Sequence, residues 1–308
     1  MNLARFFSLT LIIIILSCGC ADKGDGSFSP PQGTVSVTFS VTADMRDYTG
    51  DNRGYFRGAC ERIESGGAGL FMISPGDIDP PDRVLYTITE YIGPDYTWYP
   101  VTGNHESETP EDMEWLRSYN TGGASLPGIV NTGPPGSIET TFSFEHGDTH
   151  FIVLNQYYDG TSDTGTDGDV ADALHEWLVS DLGSNTKSIV LVFGHEPAWP
   201  QPDIENGRLR HEDDSLNIHQ ANRDRFWNTL ASAGVTAYIC GHTHNYSRIK
   251  INGVWQIDAG HSRGMGDIGA KSTFLMFYIM ENGSVFMDTH RMAYYNGRYY
   301  LYERIQLN

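Results

Sequence analysis

At 308 residues, with 39% hydrophobic and 12% aromatic content, the chain can bury one large core. Its formal net charge of −19 argues against nucleic-acid polymers as general partners, because phosphate-backbone binding is driven by Lys and Arg. No segment repeats with a period of roughly 20–50 residues and no heptads run, which excludes solenoids and coiled coils.

The first element is a targeting segment. Arg5 precedes an apolar stretch from Phe6 to Leu16, too short for a bilayer span of about 20 residues. It ends at Leu16-Ser17-Cys18-Gly19-Cys20, which resembles a bacterial lipoprotein box. Cys18 fits slightly better than Cys20 as the lipid-bearing residue, and an ordinary cleaved signal peptide is the other reading. In either case the mature chain is exported, as a membrane-anchored lipoprotein or a free periplasmic or extracellular protein. Residues 21–34 read as a polar Gly/Pro/Ser tether. The organisation expected is therefore a signal segment over 1–20, a tether over 21–34 and one domain over 35–308.

Within the domain, periodicity predicts strand 35–43, helix near 53–65, strand 69–73, helix near 80–92, strand 97–101 and helix near 110–119. A Gly/Pro-rich loop from Gly122 to Gly136 follows. Then come strands 140–145 and 149–155, helix 170–182 with Asp169 as its N-cap, strand 188–193, helix near 219–233 and strand 235–240. The remainder is β: 247–251, 253–258, 273–280, 284–290 and 298–306, with turns at Asn252-Gly253, Asn282-Gly283 and Asn296-Gly297. A βαβαβ start that gives way to antiparallel strands suggests two packed sheets with helices outside. Cys60 and Cys240 read as two buried thiols rather than a bridge.

Five of these strands end in chemistry-bearing loops: Asp44, Gly76-Asp77, Gly103-Asn104-His105-Glu106, Gly194-His195 and Gly241-His242-Thr243-His244. In open α/β sheets a ligand lies beyond the carboxyl ends of the strands, so the loops should converge. Two Asp, one Asn and three His form a donor set suited to Zn, Fe or Mn.

That ordered series resembles the calcineurin-like metallophosphoesterases, nearest the branch that holds the purple acid phosphatases. Tyr246-Ser247-Arg248, Phe142-Ser143-Phe144 and Glu176-Trp177-Leu178 agree with it, and the likeness spans residues 35 to 265. It implies an α/β fold, a four-layer α/β/β/α sandwich of two mixed sheets flanked by helices. It also implies a phosphoesterase that holds one or two divalent or trivalent transition-metal ions (Fe, Mn or Zn) and acts on a small phosphate ester, by attack of a metal-bound hydroxide. By the resemblance Asp77 would bridge two ions. Asn104, His195 and His242 would complete the second site, and Asp44 and His244 would belong to the first. His105 would assist the leaving group. The motifs do not separate monoesters from diesters.

One departure is serious. The family's first Asp is usually followed two residues on by a metal-binding His, and purple acid phosphatases use a Tyr three residues after the second Asp. Here Arg46 and Pro80 stand there, and arginine has no lone pair to give a cation. Three readings stay open: Asp79, Tyr48 or His261 supplies the missing bond; Arg46 faces the substrate in place of the ion; or the first ion is weakly held. A substrate-facing, catalytic Arg46 together with a weakened first ion is the reading favoured. The rival from another class is a non-catalytic or mononuclear surface-binding protein that keeps the fold. Loops 120–138, 156–169 and 198–218 are expected to wall the site, with Trp199, Tyr157, Tyr158 and Tyr246 as candidates to stack on a substrate. His146, His150, His175, His211, His219 and His290 are read as structural. The acidic run from Asp159 to Asp169 is read as an irregular loop rather than a Ca²⁺ site.

Overall fold

The computed structural model describes residues 29–294 and 296–308. The expectations for the signal segment, for Cys18 and Cys20 and for most of the tether therefore lie outside the described residues. The last part of the predicted tether packs on the domain: Pro31 is buried and Ser29 O accepts a bond from Arg304.

Among the described residues, thirteen strands form two mixed sheets. In the first, β1 (Val35–Val41), β2 (Phe71–Pro75) and β3 (Thr97–Val101) run parallel, and β1 pairs antiparallel with β11 (Thr273–Met280). Beyond β11 lie β12 (Val285–Ala293) and β13 (Arg298–Gln306). The second sheet runs β4 (Ile129–Thr132), β5 (Phe142–His146), β6 (Thr149–Val153), β7 (Ile189–Phe193), β8 (Ala237–Cys240), β10 (Val254–Ala259) and β9 (Tyr246–Ile251). Its centre, β6 to β8 and β10, is parallel.

The inner faces meet in an aromatic core, where Phe39 and Phe71 of the first sheet each meet Phe151 of the second edge-on at 5.4 Å. Burying each such ring contributes about 1.5–3 kcal/mol, which fixes how the two sheets stack. Helices α1 (Phe56–Ser65), α2 (Pro81–Tyr91) and α4 (Pro110–Tyr119) cover the outside of the first sheet. Helices α5 (Asp172–Ser184) and α6 (Gln220–Ser232) cover the second. The result is the four-layer sandwich expected. Both α2 and α4 begin at a proline with acidic residues in the first turn, where a missing N–H costs nothing and the helix dipole favours negative charge.

Short elements that periodicity does not mark appear among the described residues. The edge strand β4 sits inside the Gly/Pro-rich loop, and α3 (Asn104–Glu108) turns directly out of the third motif. Helix α5 starts after Ala171, so Asp169 is not its cap; the Asp169 carboxylate takes Val170 N and Asn222 instead. Cys60 and Cys240 are buried free thiols. In the acidic run, Asp159 caps its own turn through Thr161 and Ser162, while Asp163 pairs with Arg117.

Candidate metal centre

The loops after β1, β2, β3, β7 and β8 open at the same end of the sandwich and are tied together by backbone bonds. Asp44 N donates to Gly76 O at 3.1 Å, and Gly241 N donates to His195 O at 2.9 Å. Asp44, Asp77, His242 and His244 all adopt positive φ, between 52° and 71°, which costs each L-residue about 1–2 kcal/mol. The surrounding packing holds them there. The buried Glu106 carboxylate gathers the N–H groups of Asp77, Ile78 and Gly103, which fixes the second and third motifs against each other.

The sharpest feature is a set of acceptors that face one another. His195 Nδ1 lies 2.7 Å from Pro75 O, which only accepts, so the proton sits on Nδ1 and Nε2 presents a lone pair. His242 Nε2 lies 2.6 Å from Asp214 O, so by the same logic its Nδ1 is bare. Those two bare nitrogens stand 3.2 Å apart. Asn104 Oδ1 lies 3.2 Å and Asp77 Oδ1 3.3 Å from His195 Nε2. Burial lowers the pKa of both imidazoles and keeps them neutral. Asp77 Oδ1 takes one outside donor, His105 N at 3.3 Å, but between the four facing atoms no proton stands, an arrangement that repels itself unless a cation sits at its centre. Carbonyl bonds on the far ring nitrogens are what hold metal-binding histidines in the correct tautomer. The donor set fits Zn, Mn or Fe; the ion's identity is not fixed by it.

A second group, Asp44, Asp77 and His244, brings donor atoms within 4.8 Å of one another. Asp44 Oδ1 is buried with no hydrogen-bond partner. Burial, and then the charge of Asp77, raise its pKa well above the ordinary carboxylate range. Asp77 moves the other way: burial alone would lift it, but His195, His105 and His242 pull it down. His244 Nε2 stands 3.6 Å from Asp44 Oδ1. That nitrogen is already engaged, however, because Arg263 Nη2 lies 3.0 Å from it.

The remaining candidates fall around this centre. His105 stands at the opening, its side chain 30% exposed, with Nε2 3.6 Å from Asp77 Oδ2 and Nδ1 4.0 Å from Asp79 Oδ2. Arg46 is on the rim and pairs with Asp79 at 3.1 Å, so neither residue reaches the donors. Tyr48 packs against Tyr55 and Gly266. His261 is buried behind His244, its ring 6.0 Å away and its Nε2 on Ala270 O at 3.1 Å; it does not join the cluster. The four aromatic candidates point into the protein rather than the mouth: Tyr157 and Tyr246 bond Glu196 and Glu303, Tyr158 bonds Pro135 O, and Trp199 packs on Trp227.

The structure also brings in residues that the sequence reading passed over. His211, read as structural, lies with its ring 4.1 Å from His242 and its Nδ1 3.2 Å from Asp214 Oδ2. Arg210 packs against His244 Nδ1 and reaches Asp267, which Arg208 also grips. Asp267 is held far below the usual carboxylate range: burial would raise it, but bonds from His244 and Arg208 dominate. These residues come from irregular loops with no periodicity or motif to mark them.

Residues 41–246 match the family model for calcineurin-like phosphoesterase. Over 85 residues the chain is 35% identical to tartrate-resistant acid phosphatase type 5 of Rattus norvegicus, and equally to that of Mus musculus. Those stretches cover 27% of this chain and 22% of each relative, so the chain spans about a fifth of their length. Among solved structures, PhoD superposes with a TM-score of 0.58 at 13% identity, over 90% of this chain and 69% of that one. GAP50, described as the anchor in the inner membrane complex of Plasmodium, gives 0.54 at 16%, over 88% and 89%. At these identities the superpositions speak for the fold alone. With the family match running through all five donor loops, the chain belongs to the calcineurin-like phosphoesterases, a family of metal-dependent phosphoric ester hydrolases.

Proposed function

We propose that the protein is an exported phosphoesterase that cleaves small phosphate esters, monoesters in preference to diesters, at the centre built by Asp77, Asn104, His195 and His242. The observation that carries this reading is the convergence of four acceptor atoms with no proton between them. A cation bound there would draw charge from a phosphoryl oxygen and lower the pKa of water. The protein's own groups do the rest. Arg210 and Arg46 flank the opening, 34% and 30% exposed, and supply fixed positive charge in a chain that is otherwise strongly acidic. That density of guanidinium suits a dianionic monoester better than a singly charged diester. His105 Nε2, on the open side of Asp77, delivers a proton to the departing oxygen, while its Nδ1 faces Asp79.

The test is hydrolysis of a chromogenic phosphate monoester and a diester with and without added Zn²⁺ or Mn²⁺. Metal-dependent turnover that favours the monoester is expected, and His105→Ala should lower kcat by about 10²–10⁴-fold. Turnover that ignores both metal and His105 would remove the reading. A non-catalytic surface-binding protein is favoured by one observation, the Arg263 guanidinium seated on His244, and the absence of any turnover would select it.

The export and the lipid anchor are proposals that rest on residues 1–20. Labelled palmitate should enter the wild-type chain and be lost in Cys18→Ser. Label that persists in Cys18→Ser but not in Cys20→Ser moves the anchor to Cys20.

A further inference from the structure

We infer that Arg263 takes the place of a second cation, so that the centre holds one metal ion and one fixed guanidinium. The inference rests on the reading of Asp77, Asn104, His195 and His242 as a metal site and deepens it. His244 Nδ1 lies 2.9 Å from Asp267 Oδ2, a carboxylate that can only accept. Arg210 also packs on that nitrogen, so the tautomer is set from the other side of the ring: a guanidinium only donates, which makes the lone pair of Nε2, facing Arg263, the acceptor and leaves the ring proton on Nδ1. Arg263 Nη2 donates into that lone pair at 3.0 Å, and its Nε donates to Asp44 O at 2.9 Å. An ion bound by Asp44, Asp77 and His244 needs the same Nε2 lone pair, so the two occupants exclude each other. The two halves of the centre differ in kind: no N–H donor enters between His195 and His242, whereas the half around His244 already has a positive group.

The guanidinium is placed by a rigid loop. Ser262 N donates to Ala43 O at 2.7 Å, Gly264 N to Ser272 Oγ at 3.0 Å and Met265 N to Gly54 O at 2.8 Å. Arg263 is 5% exposed, with Tyr48 5.8 Å from its guanidinium carbon. A side chain this enclosed cannot swing out to solvent without moving the loop. Its charge is met by Asp44 and Asp77, the carboxylates that a second ion would otherwise neutralise. A guanidinium holds its protons throughout the physiological range, so it can grip a phosphoryl oxygen but cannot generate a nucleophile from water. The nucleophile must then arise on the His195 and His242 side alone.

Metal content tests this without reference to turnover. The wild-type chain, Arg263→Ala and His244→Ala are loaded with excess Zn²⁺, desalted and measured by elemental analysis, with far-UV circular dichroism to verify folding. The wild type should carry one ion per chain, His244→Ala should also carry one, and Arg263→Ala should rise to two. Two ions in the wild type, or a lower content in His244→Ala than in the wild type, would overturn the inference, as would a single ion in folded Arg263→Ala. Should Arg263→Ala fail to fold, the wild type and His244→Ala decide alone. A wild-type chain that retains no Zn²⁺ removes the metal reading itself, and the inference with it.

Discussion

An alanine at position 76 would place its methyl carbon 2.3 Å from His195 Nδ1, well inside van der Waals contact, on a backbone at φ +81° that only glycine adopts freely. Gly241 is confined in the same way, its missing methyl 2.6 Å from Asp44 Oδ2. The small residues in the motifs thus exist to let the donor loops touch. Gly76→Ala should push His195 out of line and abolish the tightly bound ion while the far-UV spectrum stays native. A variant that keeps full metal content would show that the loop relaxes around the methyl group. Residue by residue, the donors were legible because each follows a strand and a small residue in a fixed order. Arg263 was not. The Gly260-His261-Ser262-Arg263 loop drew notice for its histidine, yet it is the arginine two positions on that reaches the centre, while His261 faces Ala270 O. Nothing in the pattern of an irregular loop tells which of its side chains turns inward.

The elements carry a second lesson, about which signals a sequence can hold. Strands such as β11, buried along its whole length, and β1 announce themselves as apolar runs closed by turn residues. The four-residue β4 and the five-residue α3 are too short for any period, and both exist because tertiary contacts supply what their sequences lack: β4 pairs along β5, and α3 is pinned through Glu106. Strand β12 shows the energetic cost that an element can hide. His290 is buried on it, stacked on Phe274 at 4.8 Å, and burial, with Arg62 and Arg304, lowers its pKa to about 3. In the unfolded chain it titrates near the ordinary value of 6.5. The unfolded state therefore binds the extra proton between those limits, and stability is retained above 6.5 and lost as pH falls toward 3. Urea unfolding at pH 7 and pH 4 should show the wild type losing about 3 kcal/mol more than His290→Phe. Equal losses would mean that the imidazole is accommodated in its charged form.

At the scale of the whole molecule, the centre exists only where both sheets are stacked. Asp44, Asp77 and Asn104 come from the first sheet, and His195 and His242 from the second. An ion held there binds the native state and not the unfolded chain, so it stabilises by mass action. With free ion at about 1,000 times its Kd the gain is about 4 kcal/mol, and chelation should lower Tm by roughly 10 °C. An unchanged Tm after complete removal of metal would show that the native state does not hold an ion there with that affinity. The same layout accounts for what sequence reading did well: the order of elements dictated two sheets, and the sheets dictated a shared end.

The distance in sequence between those donors also bears on how the molecule comes apart. Asp44 and His242 are joined by a hydrogen bond across 198 positions of chain, a separation that no early, local event in folding can close. The ion site is therefore absent from any barrier crossed while the sheets are still assembling. Metal in the medium would leave the refolding rate almost untouched and act on the opposite limb, lengthening the lifetime of the native state by slowing its escape.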